Sequence, residues 1–122
     1  MTQEEFKTFN ALKGKLDKEV NNLWSYIEEN YKDCLSFDKY SSFRNYDIYY
    51  KNICIEYYDH YNFCDCNIIV LPISDFINRP TEWADEWANN IRQKKKKKEE
   101  EEIKREKEEL KRLKEKYESN LN

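Results

Sequence analysis

One glycine and one histidine in 122 residues exclude most familiar catalytic frameworks at the outset. Phosphate-binding loops need several glycines, and Ser/His/Asp relays need a histidine beside a nucleophile, so neither is expected here. No apolar run approaches the about 20 residues that cross a bilayer. No signal peptide opens the chain, so a cytoplasmic protein that avoids membranes is expected. We expect no enzyme and no cofactor.

What is present is charge and aromatic surface. Asp, Glu, Lys and Arg make up 39 % of the chain, and Phe, Trp and Tyr 16 %. Residues 94–122 hold 12 Lys and Arg against 9 Asp and Glu, so the remainder of the chain carries 10 against 16. The body is therefore acidic, which repels nucleic acid and favours basic protein partners.

The stretch that organises the body is YDIYYKNICIEYYDHYNFCDCNIIV, residues 46–70. It reads as a three-stranded antiparallel meander with turns at Lys51-Asn52 and at residues 59–62. Side chains alternate between faces along a strand. One face then collects Tyr46, Ile48, Tyr50, Ile53, Ile55, Tyr57, Cys64, Cys66, Ile68 and Val70. The other collects Asp47, Glu56 and Asp65 in one cross-strand row, flanked by Tyr49, Tyr58 and Phe63. Acids directly opposite one another repel, a cost that a basic partner would convert into attraction. These six residues form the candidate partner-binding face. A plainly solvated face is the alternative.

Before the meander, Thr2-Gln3-Glu4-Glu5 has the form of a capping box. Phe6, Phe9, Leu12, Leu16, Val20, Leu23, Trp24, Ile27 and Tyr31 then recur at three- and four-residue steps. They predict an amphipathic helix over residues 3–31, packed by its stripe on the apolar back of the sheet. Residues 32–45 read as a connector. After the meander, Pro72 stops the third strand, residues 74–77 look like one helical turn, and a helix restarts at Pro80. Trp83, Trp87 and Ile91 step by four and would anchor it. The predicted division is a body over 1–93 and a charged helical tail over 94–122. In the tail Ile103, Leu110 and Tyr117 are seven apart, with Leu113 between, a seam for a possible homodimer. The fold class is α+β: an N-terminal helix on a three-stranded antiparallel meander, then a long charged helix.

Cys54, His60, Cys64 and Cys66 supply metal-ligand chemistry, but Cys-x-Cys is not a spacing that structural zinc favours. Cysteines as small buried hydrophobes are the reading preferred, with a zinc-stabilised nucleic-acid-binding module as the alternative.

The Cys-x-Cys strand at Cys64 and Cys66, Leu71-Pro72-Ile73-Ser74-Asp75-Phe76, the Trp83/Trp87 turn and the Lys/Glu tail together resemble small accessory proteins of bacterial phages and prophages. The resemblance is one of layout over residues 46–122, and no functional residue carries over. It implies a class: inhibitors of host machinery, including anti-CRISPR proteins and DNA mimics. The expectation is a non-enzymatic inhibitor or adaptor that binds a basic, nucleic-acid-handling protein of an infected or lysogenic bacterial host. A structural protein working through its C-terminal helix is the alternative.

Overall fold

The structure is a computed structural model and describes residues 1–35, 41–59 and 66–120. It contains α1 (Gln3–Asn30), the single turn α2 (Lys32–Leu35), strands β1 (Ser41–Tyr49), β2 (Asn52–Asp59) and β3 (Cys66–Pro72), the short α3 (Ile73–Asn78) and α4 (Pro80–Asn120). The strands form one antiparallel sheet in the order β1-β2-β3. The α+β architecture read from the sequence is the observed one. Two compact units divide at Ala88/Asn89, inside α4.

The N-terminus of α1 is capped as its sequence requires. The Glu5 amide donates to the Thr2 hydroxyl at 3.1 Å, which satisfies one of the helix's orphan donors. The apolar stripe behind it is only half used. Val20, Leu23, Trp24 and Ile27 are buried, whereas Phe6, Phe9 and Leu12 are exposed, against the expectation that the whole stripe covers the sheet. The reason is length. A helix of 28 residues spans about 42 Å, while the longest strand, nine residues, spans about 30 Å.

Ile53, Ile55 and Tyr57 of β2 and Ile69 and Leu71 of β3 supply the sheet's half of the core. Trp24 of α1 lies on the sheet between Phe43 and Tyr57, with ring centroids at 6.0 and 5.4 Å. The Tyr57 hydroxyl, buried by this packing, donates to the Leu35 carbonyl at 2.8 Å. That bond ties α2 to the middle strand and leaves the phenol satisfied.

At the start of α4 the buried residues are Ala84 and Ala88, both fully inaccessible. Trp83 and Trp87 are half-buried beside the core and stack on each other at 6.2 Å and 17°. The tryptophans read as the anchor thus pack against the core from its edge, beside the fully buried Ala84. Ile91 is half-buried.

Gly14 sits inside α1 without a positive φ, and nothing lies within 4 Å of where a Cβ would stand. Glycine there costs helix stability with no packing reason. Gly14→Ala is expected to raise unfolding free energy by about 0.5–1 kcal/mol, measured by urea denaturation.

The candidate binding face and a tyrosine clasp

The register of the sheet decides which side chains meet, and it differs from the alternation reading in both hairpins. In the first, Tyr49 pairs with Asn52, Ile48 with Ile53 and Tyr46 with Ile55. The turn is Tyr50-Lys51, one residue earlier than expected. Tyr50 has φ 60°, the left-handed conformation that such two-residue turns demand. A β-bulge between Phe43 and Asn45 then makes Arg44 the extra residue, so that Asn45 pairs with Glu56 and Phe43 with Tyr57.

In the second hairpin Ile55 pairs with Ile69, Ile53 with Leu71, Glu56 with Ile68, Cys54 with Val70 and Tyr58 with Cys66. This is an odd shift from the expected pairing, and an odd shift exchanges faces. Ile69 and Leu71 turn inward, while Ile68 and Val70, expected on the apolar back, stand on the front at 55 % and 50 % exposure. The cause is visible in the sequence. Ile68-Ile69-Val70-Leu71 is apolar at every position, so alternation cannot choose its parity, and an assumed four-residue turn chose it wrongly.

The acidic row is already broken in the first hairpin. Asp47 pairs with Cys54, whose other neighbour is Val70, and Glu56 lies between Asn45 and Ile68. Asp47 and Glu56 share the front but are not cross-strand partners. Phe63 and Asp65, the remaining predicted contacts in the second hairpin, lie outside the described residues. Tyr49 is on the front and 68 % exposed, and Tyr58 is half-buried there. Sequence reasoning missed Arg44, which the bulge brings to this side. Its guanidinium lies 3.7 Å from the Glu56 carboxylate and 5.3 Å from the centre of the Tyr58 ring. The front is therefore an apolar strip along edge strand β3, bordered on β2 by Cys54, Glu56 and Tyr58, with Arg44, Asp47 and Tyr49 one strand further away on β1.

The cysteine constellation divides in the same way. Cys54 is a free, half-buried thiol on the front. Cys66 pairs with Tyr58, where alternation had set it opposite Ile55. His60 and Cys64 lie outside the described residues. Among the described residues no three His, Cys, Asp or Glu side chains converge as a metal site.

A second polar feature escaped the sequence. Tyr26 and Tyr31, near the end of α1, both donate to the Asp85 carboxylate on α4, Tyr26 at 2.7 Å. Asp85 falls between Trp83 and Trp87, an acid amid the anchoring residues, which was the only signal available. Hydrogen bonds from Tyr31 and then Tyr26 hold the Asp85 carboxyl below its ordinary range. The same bond to Asp85 raises both phenols. Tyr46 is pushed up to about 12 by burial and by its hydrogen bond to Asp17.

The signs give opposite pH limbs. The depressed Asp85 contributes stability above the ordinary carboxylate pKa and loses it as pH falls through the folded value. Tyr46 contributes below the ordinary phenol value of 10.0 and loses its share as pH rises toward about 12. Asp85→Asn should therefore flatten the acid limb of a melting-temperature profile, and on the alkaline side it should remove the contributions of Tyr26 and Tyr31 while leaving that of Tyr46 in place.

The clefts add little chemistry. An open one of about 290 Å³ lies among Glu19, Asn22, Leu23, Phe76, Pro80 and Thr81. Another, of about 310 Å³, runs along the exposed part of the α1 stripe beside Tyr46 and Ile48. No helix of the described residues is long and apolar enough to cross a membrane. No protein-family model matches this chain, and comparison with curated proteins and with solved structures returned no match.

Proposed function

We propose that the protein is a non-enzymatic binding protein of the inhibitor or adaptor type, and that its working surface is the front of the sheet. The observation that carries this reading is the exposure of Ile68 and Val70 on adjacent front positions of an edge strand, beside Tyr58 on the neighbouring strand. Half-exposed β-branched residues side by side with an aromatic are what interface cores use, whereas a solvated face is expected to be polar.

The partner class follows from the rim and the body. Glu56 borders the strip, Asp47 lies one strand beyond it, and residues 1–93 carry an excess of acids, so a protein with basic side chains around an apolar ridge fits best. Nucleic-acid-handling proteins present such surfaces, which agrees with the phage-type inhibitor implied by the layout of the chain. Arg44 offsets part of the Glu56 charge. Apolar contact then supplies most of the affinity, and charge supplies speed of encounter.

Capture from host-cell lysate at low and at high salt tests the division of labour. Asp47→Asn with Glu56→Gln should slow association several-fold at low salt and have little effect at high salt, where exposed charges are screened. Equal capture by this variant and wild type at low salt would remove charge from the account.

A further inference from the structure

We propose that residues 102–117 of α4 pair with the same segment of a second copy, as a parallel two-stranded coiled coil in register. The seam is uncovered: Ile103, Leu110, Leu113 and Tyr117 are all exposed on a continuous helix. In heptad terms Ile103, Leu110 and Tyr117 hold the a positions and Leu113 a d position. The β-branched Ile103 at a and Leu113 at d are the types that two-stranded pairs favour, whereas Leu110 and Tyr117 carry no such preference.

Charge selects the occupant and its direction. The residues flanking the seam are Glu102, Glu109 and Lys116 at g, and Lys107 and Lys114 at e. In a parallel in-register pair each g position faces the e position five residues further along the other helix. Glu102 then faces Lys107 of the second copy and Glu109 faces Lys114, and the two-fold symmetry repeats both pairs. All four contacts are attractive.

The antiparallel alternative gains a Glu109–Lys116 pair but fails on the seam itself. Setting Leu110 against Leu113 would place Tyr117 against Glu106 and Ile103 against Asn120, and would bring Lys107 beside Lys114 of the second copy. The remaining surface positions, Lys104, Arg105, Glu108, Lys111, Arg112, Glu115 and Glu118, are charged, as solvent-facing coiled-coil positions require. Glu106 at a d position keeps the pair modest in strength. Such a dimer would carry two copies of the sheet front, so that two weak captures on one assembly reinforce each other.

Light scattering on the full chain during gel filtration reads the result directly. At high concentration and low salt the mass should be twice the monomer's 15.1 kDa. Leu110→Lys should halve it, with the helical circular dichroism signal retained as proof of folding. Leu113→Lys serves as a second variant and should do the same. Glu102→Lys with Glu109→Lys, and separately Lys107→Glu with Lys114→Glu, should each shift the mass toward monomer. Mixing these two charge-reversed chains should restore the dimer. Asn120→Cys should form a disulfide to itself across the pair under oxidation, which only a parallel arrangement allows. A monomer mass at the highest soluble concentration overturns the proposal. So does a dimer mass unmoved by both lysine variants, a mixture no more dimeric than its components, or a wild-type dimer that forms no bond between the two copies of residue 120.

Discussion

Ile55→Ala and Ile69→Ala should each lower the unfolding free energy by about 3–4 kcal/mol, within the range for removing buried aliphatic side chains. Ile55 is fully inaccessible at the centre of the middle strand, paired with Tyr46 on one side and Ile69 on the other. Truncation removes methylene groups from water-free contact and leaves a cavity between the sheet and α1. Domains of this size hold only about 5–10 kcal/mol in all, so either change removes a large share. Ile68→Ala, one residue from Ile69 but on the exposed front, should cost within about 0.5 kcal/mol. Urea titration reads all three, with the midpoint moving and the slope unchanged. The contrast between positions 68 and 69 tests the register as well as the core. A costly Ile68→Ala with a harmless Ile69→Ala would restore the pairing that alternation suggested.

Ile68→Lys combined with Val70→Lys should abolish most partner capture while leaving the melting temperature near its wild-type value. Both side chains are about half exposed, so the fold loses little when they become polar. A bound partner would lose two central apolar contacts, worth about 1–2 kcal/mol each, and would meet two new like charges. Together these predict a weakening of about two orders of magnitude at low salt. High salt should recover only the electrostatic part. Retention of full affinity by this variant would move the binding surface off the sheet.

The elements were legible in the sequence because each carries its own local signal. Thr2 and Glu5 marked the start of α1, Pro80 the start of α4, and the three- and four-residue steps from Leu16 to Ile27 marked the buried stripe. What alternation could not settle was parity in a run apolar at every position, residues 68–71, together with a bulge at Arg44 that no residue type announces. Those two features decide which side chains share a face, so the candidate site changed while the fold did not. The acidic row depended on both assumed turns, and the turn at Tyr50-Lys51 alone is enough to separate Asp47 from Glu56. The exposed strip of Ile68 and Val70 depends on the observed pairing of Ile55 with Ile69. Asp85 was hidden differently, since its partners Tyr26 and Tyr31 lie more than fifty residues away in sequence.

The claim that the sheet front is the working surface is tested most directly by site-specific photo-cross-linking in host-cell lysate. A benzophenone side chain would be placed singly at positions 68, 70, 77 and 113, all of them exposed in the native chain. Adducts to one and the same basic protein from positions 68 and 70, absent from 77 and 113, are the expected result. The same protein cross-linked from 77 or 113, with 68 and 70 silent, would contradict it.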